Sequence, residues 1–331
     1  MHSSLPSPDL APVPRPARLR PAGALRRLLA AGALALAAGC ASGGAPDAGL
    51  PEGARLVELP SGRPLDGLPA LVERARGVDL LVVGEIHDDP AHQRLQAALA
   101  AALGVEALAL EMVPQEVEPA LAALRAAGSP DAELRAAARW DDYAPWHGVL
   151  DAVPRAEVAG GGVPRAALRQ AMGEGVAAAF GEGAARYGLD APLPPAEQAA
   201  LEVELDRSHC GALPAEMLAP MVEAQRLRDA RFAEALLRVR ERAGGAQAML
   251  VTGNGHARRD RGVPWVLADA APGLSTLAIL QAEWAQDAPG DVDAALAPWR
   301  RADGSLPYDL AVISTAPTGR EDPCARFRSQ G

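Results

Sequence analysis

Short aliphatic runs alternate with longer segments of helical periodicity along most of this chain. Residues 80–83 are four aliphatic residues in a row, a length that suits a buried strand better than a helix. Asp89 and a proline follow, and they are typical of a helix N-cap and first helical position. Residues 90–103 then place a leucine at every fourth position, and Gly104 ends the pattern. This strand–helix unit is half of a βαβ motif.

The same alternation continues through the chain and predicts an α/β fold with a mostly parallel central sheet flanked by helices. Further strands are predicted at residues 55–59, 107–112, 158–163, 248–252, 276–280 and 310–314, and helices at residues 68–76, 115–127, 131–139, 166–180, 196–205 and 214–242. We expect one domain over residues 55–315, with a helical insertion at about 115–240. Residues 316–331 are polar and irregular, and we expect them to form a tail.

The N-terminus has the pattern of an export signal. Five arginines precede an apolar run at residues 28–38, which is too short to cross a bilayer but suits the core of a signal peptide. The run ends Leu36-Ala37-Ala38-Gly39-Cys40, which resembles a bacterial lipobox. We therefore expect residues 1–39 to be a lipoprotein signal peptide, Cys40 to be lipidated and residues 40–54 to be a tether, with an ordinary secretory signal as the alternative. Ala41 after the cysteine favours the outer membrane, with the protein facing the periplasm or the cell surface.

Charge and cysteine content narrow the possible partners. Removal of residues 1–39 takes away five arginines and Asp9, so 27 basic and 41 acidic side chains remain, a balance of about −14. That balance makes nucleic-acid binding improbable. Cys210 and Cys324 remain after Cys40, and they are either a disulfide or two thiols, because pairing does not follow from sequence.

Titratable side chains follow three of the predicted strands. Glu85 and His87 follow the first, Glu111 ends the second, and His256 follows a third. If these strands are parallel neighbours, the four side chains converge on one edge of the sheet, where α/β proteins gather ligands. Two imidazoles and two carboxylates suit a divalent metal ion or general acid–base chemistry. A purely structural network of buried ion pairs is a third interpretation.

Several motifs together resemble the ChaN family of haem-binding lipoproteins of iron uptake. They are Gly84-Glu85-Ile86-His87-Asp88, Leu110-Glu111-Met112, His209-Cys210-Gly211, Gly253-Asn254-Gly255-His256-Ala257-Arg258-Arg259-Asp260, Gly262-Val263-Pro264 and Arg320-Glu321-Asp322-Pro323-Cys324. The two Gly-x-x-His elements are similar to those of the wider Tiki superfamily, which includes metal-dependent hydrolases and erythromycin-esterase-like enzymes. The resemblance implies haem binding between two protomers, that is, a homodimer with haem. A metal-dependent hydrolase that uses Glu85, His87, Glu111 and His256 is the alternative.

The resemblance also implies which side chains hold haem. Tyr143 or His209 is expected as the axial ligand, since tyrosine and histidine both bind haem iron. Met217 and Met221 are expected to cover the porphyrin or, alternatively, to pack in the core.

Arginines are expected to pair with the haem propionates, because the guanidinium fork matches a carboxylate. The candidates are Arg165, Arg258 and Arg259. They are equally suited to neutralising Glu85 and Glu111.

Overall fold

The aliphatic runs form the strands of one sheet. In a computed structural model, the described residues are 48–129, 131–138, 147–320, 322, 324 and 325. Within them the strands are β1 Arg55–Glu58, β2 Arg63–Leu65, β3 Leu80–Glu85, β4 Ala107–Pro114, β5 Glu157–Gly162, β6 Ala248–Gly253, β7 Thr276–Trp284 and β8 Leu310–Thr315. The signal peptide, Cys40, most of the tether and Tyr143 lie outside the described residues.

Most of the helices follow the predicted periodic segments, and three short ones, at residues 147–152, 263–270 and 292–296, lie where no helix was predicted. They are α1 Gly67–Ala75, α2 Pro90–Leu103, α3 Glu118–Ala126, α4 Asp131–Ala138, α5 His147–Ala152, α6 Arg165–Glu174, α7 Val176–Phe180, α8 Pro195–Ser208, α9 Ala215–Arg242, α10 Val263–Ala270 and α11 Val292–Leu296. The helix predicted at 166–180 is interrupted at Gly175, whose φ of 88° is outside the helical range. Among the described residues, no helix is long and apolar enough to cross a membrane.

The strand order is β2-β1-β8-β7-β3-β6-β4-β5. β3 lies in the middle and pairs in parallel with β6 on one side and β7 on the other, while β1 runs antiparallel to β8 and β2. The sheet is therefore mostly parallel and flanked by helices, which confirms the predicted fold class.

Alternation along β3 explains why helices cover both faces of the sheet. Leu81 and Val83 belong to the core beneath α1 and α2, whereas Leu80 and Val82 face the core beneath α9 and α10. A strand that is apolar on both faces must be covered on both faces. Each fully buried aliphatic side chain contributes roughly 1.5–3 kcal/mol to the free energy of folding.

The region predicted as a helical insertion, at about 115–240, is mostly helical but is joined to the sheet. It contains β5, which pairs in parallel with β4 at the edge of the sheet. Helix α9 packs against β4, β5 and β6 and is the crossover from β5 to β6. Only part of this region therefore extends away from the sheet.

Cys210 and Cys324 form a disulfide across 114 residues, with 5.6 Å between their Cα atoms. The bond joins the connection between α8 and α9 to the C-terminal tail. Of the two interpretations left open by the sequence, the structure has the disulfide.

Candidate functional site

Three neighbouring strands bring the predicted side chains to one edge of the sheet. β6 lies between β3 and β4, and Glu85 is in register with Gly253 at the end of β6. Because parallel strands end at the same edge, Glu85, Glu111 and His256 become neighbours. We call Glu85, His87, Glu111, His256 and, as shown below, Asp229 the strand-end cluster.

His87 is held by a carboxylate behind it. Its Nδ1 lies 2.8 Å from Glu85 Oε1, and the other oxygen of Glu85 accepts a hydrogen bond from Gln96 Nε2 at 2.7 Å. Glu85 is 2 % exposed, so α2 and the sheet enclose it. The carboxylate fixes the Nδ1–H tautomer and leaves the Nε2 atom of His87 directed towards Glu111.

His256 has a matching carboxylate partner that comes from a distant helix. Its Nδ1 lies 2.7 Å from Oδ1 of Asp229, a buried residue in the middle of α9. The ring also contacts Phe232 edge-on, with 5.0 Å between the ring centroids. Asp229 and Phe232 therefore set the orientation of this imidazole.

Glu111 lies between the two imidazoles. Its Oε1 atom is 3.9 Å from Nε2 of both His87 and His256. Its Oε2 atom accepts hydrogen bonds from the Thr252 hydroxyl at 2.6 Å and from the Gly253 amide at 2.7 Å. One carboxylate thus joins β4 to the end of β6 and faces both histidines.

The charges of the cluster support one another. Burial by itself lowers the pKa of His87, but the hydrogen bond to Glu85 and the charge of Glu111 outweigh burial and raise this pKa to about 9. Burial also opposes protonation of His256, yet Asp229 and Glu111 raise its pKa. For Glu111, burial raises the pKa but the two imidazoles and the two hydrogen bonds lower it overall. The carboxylates thus favour the protonated form of both imidazoles, while burial raises the pKa of Glu85 and of Asp229.

The cluster has part of the geometry of a metal centre. The Nε2 atoms of His87 and His256 face one carboxylate oxygen, and each imidazole has a carboxylate at its other nitrogen, as metal-binding histidines usually do. Glu85 is occupied by His87 and Gln96, so it supports a ligand instead of being one, which corrects its predicted role as a metal ligand. A metal ion would also have to compete with the protons that the neighbouring carboxylates favour on these imidazoles.

Among the described residues, only Asp89, His92 and Glu283 form a group of potential metal ligands whose atoms all lie within 4.8 Å of one another. His92 Nδ1 accepts a hydrogen bond from the Ile86 amide at 3.1 Å. A neutral imidazole that accepts at Nδ1 carries its proton on Nε2, the atom that lies 3.4 Å from Asp89. His92 therefore faces these acids as a donor, which does not suit a metal ligand. Burial raises the pKa of Glu283 to about 7, so this acid readily holds a proton.

The described residues that were predicted to contact haem lie at the end of α8 and in the first half of α9. His209 follows α8, with Nδ1 2.8 Å from the Leu205 carbonyl oxygen. Met217 and Met221 are half-buried in the first half of α9, and Met221 packs against a small core that includes Leu205. Tyr143 lies outside the described residues.

The arginine predictions are partly wrong. Arg258 is 3 % exposed and makes two hydrogen bonds to Asp260, at 2.7 and 2.9 Å, so it is not available to a propionate. Arg259 pairs with Asp309 at 2.8 Å. Neither pairs with Glu85 or Glu111, which face the histidines of the strand-end cluster instead. Arg165 is exposed at the start of α6.

Asp229 is the functional residue that sequence patterns miss. It lies 27 residues before His256, inside a long helix where an acid normally indicates a solvated face. The available signal was that Phe232, Ala233 and Leu236, which follow on the same face of α9, are apolar, and this places the acid on the buried side.

The comparisons with known proteins agree with the fold. The family described as haem-binding uptake, Tiki superfamily, ChaN matches residues 71–267. The chain is similar to ChaN of Campylobacter jejuni, which was solved with cofacially bound haem, at 17% identity over 78% of this chain and 96% of that one, with a TM-score of 0.57. It is also similar to the type III effector HopBA1 (16% identity, 77% and 97% covered, TM-score 0.44) and to a mutant of the erythromycin esterase EreC in its open conformation (11% identity, 75% and 93% covered, TM-score 0.41). None of the curated proteins compared with the chain matches it.

At 17% identity the C. jejuni structure shows the fold alone, and the other two, with TM-scores below 0.5, carry no argument. The family match is more informative, because it runs from α1 to α10 and includes every member of the strand-end cluster. This chain belongs to the haem-binding uptake family, ChaN, of the Tiki superfamily.

Proposed function

We propose that this protein binds haem in iron or haem uptake, as a lipid-anchored protein of the cell envelope, with haem held between two protomers and without turnover. The observation that carries the proposal is the family match over residues 71–267. The C. jejuni protein of the same fold binds haem cofacially. Two protomers that each present one haem face would produce such a stacked pair.

The anchor and the location rest on the N-terminal sequence. The arginines, the apolar run and the position of Cys40 suit a lipoprotein signal. One acyl group binds membranes only marginally, so stable attachment would need the several chains that a bacterial lipoprotein carries. Labelling cells with a clickable fatty acid tests this part. Label in the wild type and none in Cys40→Ala supports the anchor, whereas equal labelling excludes it.

Haemin titration tests the central claim. The wild type should develop a shifted Soret band that saturates near one haem per chain, and its sedimentation should show a dimer once haem is bound. Tyr143→Phe and His209→Ala identify the axial ligand, because the variant that lacks the ligand should lose the wild-type Soret position. A folded wild-type protein that gives no saturable Soret change at micromolar haemin would refute the proposal.

A metal-dependent hydrolase is the second candidate function. The observation that favours it is the pair of imidazoles, each oriented by a carboxylate so that Nε2 faces Glu111. In that case His87, His256 and Glu111 would bind the ion, and the ion would supply an activated water. Elemental analysis of protein purified without chelator tests the idea. Stoichiometric zinc, manganese or cobalt that His256→Ala loses would support the hydrolase, and a metal-free wild type that gains no hydrolysis with added metal would exclude it.

A further inference from the structure

Helix α8 is only lightly packed against the rest of the protein. Of its 14 residues, Leu201 and Leu205 are the buried ones. They lie in a small core with Leu193 and Val222, separate from the two cores that cover the faces of the sheet. On another face of α8, a groove of about 560 Å³ separates the helix from residues 298–303. An element with so few buried apolar contacts is expected to open at a lower free energy than the sheet.

The connection to α9 and the beginning of that helix share this loose packing. Residues 206–221, all of which are described, include no buried residue, and α9 joins the core of the sheet only from Leu227 onwards. Pro220 lies inside α9 and has no amide hydrogen to donate to the preceding turn, so the helix is more easily bent there. We call residues 195–222 the α8–α9 arm.

Ion pairs join the arm to the loop that carries His256. The guanidinium of Arg261 binds Glu204 and lies 3.7 Å from Glu197, and both glutamate side chains remain partly exposed. The arm also borders the loop directly, because a Cβ atom at Gly255 would lie 3.3 Å from Glu204. Ion pairs that water can reach hold an interface only weakly. The arm is therefore attached to this loop less firmly than a helix with an apolar interface would be.

A covalent bond holds the turn of the arm to the edge of the sheet. Cys210, between α8 and α9, forms the disulfide with Cys324 in the tail. Earlier in the tail, Arg320 donates from Nε to the carboxylate of Asp88 at 2.9 Å. Asp88 directly follows His87, so the tail connects the arm to the loop beside the strand-end cluster.

We propose that the α8–α9 arm is a movable flap beside the strand-end cluster, and that the Cys210–Cys324 disulfide locks it in the closed position of this structure. A dithiol reductant converts the bond to two thiols and is itself oxidised to a disulfide, after which only the ion pairs and the small core hold the arm. The closed arm limits access to His256, because Glu204 lies beside the preceding residue. The inference does not depend on which ligand the protein binds, so its test and the haemin titration fail independently.

Hydrogen exchange of the full chain, measured by mass spectrometry, tests the lock. After reduction with dithiothreitol, peptides from residues 195–222 should exchange about tenfold faster or more, at times when peptides from β3 and β6 are still protected. A Cys210→Ser/Cys324→Ser protein should show the fast exchange with and without reductant. If Cys210 and Cys324 are free thiols and the arm still exchanges as slowly as before, or if the sheet loses protection together with the arm, the proposal is wrong.

Glu204→Gln gives a second measurement. It removes the charge that Arg261 binds, so the arm of the reduced variant should exchange several-fold faster than that of the reduced wild type. The matched control is Glu234→Gln, which removes a charge paired with Arg231 in the second half of α9, outside the arm. The control should leave exchange of the arm unchanged, and equal exchange in both variants would contradict an arm held by this ion pair.

Labelling with diethyl pyrocarbonate reports access to the strand-end cluster. His256 should react several-fold faster once the disulfide is reduced, because the arm then no longer covers its loop. His92 is 1 % exposed and lies on the other side of the sheet under α2, so it should stay unreactive in both states. Equal labelling of His256 before and after reduction would show that the arm does not control access to the cluster.

Discussion

The His87 imidazole should stabilise the folded protein only where it is protonated. Burial lowers its pKa, but the hydrogen bond to Glu85 and the neighbouring negative charges, above all that of Glu111, raise this pKa from 6.5 to about 9. Because one pKa unit corresponds to about 1.4 kcal/mol, the folded state binds this proton more tightly than the unfolded state by about 3 kcal/mol. A His87→Gln variant removes the titrating group and therefore this contribution.

The stabilisation by His87 decreases as the pH rises, because the pKa of His87 is higher in the folded than in the unfolded protein. The contribution is complete below the unfolded pKa of 6.5 and is lost as the pH rises through 9. Urea unfolding at about pH 6 and about pH 9.5 should therefore show the wild type losing about 3 kcal/mol relative to His87→Gln between the two conditions. Proton NMR of the ring should show His87 titrating near 9.

His92→Gln is the matched control. Burial lowers the pKa of His92 to about 4, so this ring is neutral across the same interval. Between the two pH values its variant should change relative to the wild type by less than about 1 kcal/mol and in the opposite direction, because only the unfolded ring, with a pKa of 6.5, is partly protonated at pH 6. If the difference between His87→Gln and the wild type instead stays constant, His87 is not held as an imidazolium and the charge assignment of the strand-end cluster is wrong.

Three further substitutions probe the rest of the structure. Glu111→Gln should reduce the free energy of unfolding at pH 7 by about 3–5 kcal/mol, because it removes the carboxylate charge that faces both imidazoles, and a loss below about 1 kcal/mol would contradict that arrangement. Gly84→Ala should reduce the free energy of unfolding, measured in urea, by about 1–3 kcal/mol, because the new methyl group would lie 3.0 Å from the Cα atom of Asn254. An unchanged urea midpoint would contradict this close packing. Reduction of the Cys210–Cys324 disulfide should cost about 4–5 kcal/mol for a loop of this length, whereas a Cys210→Ser/Cys324→Ser protein should not respond to reductant.

The sheet was predictable because its strands are apolar on both faces. Residues 80–83 and 248–252 are short, nearly continuous apolar runs without the three-to-four-residue spacing of an amphipathic helix. Both form strands. β7 was predicted to end at residue 280 but continues to Trp284. Its last residues alternate, with the polar side chains of Gln281 and Glu283 on the side of α2 and Ala282 and Trp284 in the core on the opposite face. A prediction based on continuous hydrophobic residues therefore ended this strand at its first polar residue.

The strand-end cluster was only partly predictable. Glu85, His87, Glu111 and His256 follow strands, so topology alone predicts their shared edge. The apolar face of α9 places Asp229 on the buried side of the helix, but its pairing with His256 depends on how α9 packs against the sheet, which the sequence of α9 alone does not give. The sequence also did not predict the partner of Arg258, although that partner, Asp260, lies only two residues away. Such a contact depends on the conformation of one loop.

The disulfide has a practical consequence for testing the proposed membrane anchor. The chain has three cysteines, and the bond between Cys210 and Cys324 takes two of them. Cys40 is then the remaining thiol of the unprocessed chain, so a maleimide dye applied to denatured, unreduced protein should label the precursor and leave a lipid-modified chain dark. A single fluorescence measurement on purified material would thus report how much of the protein has been acylated.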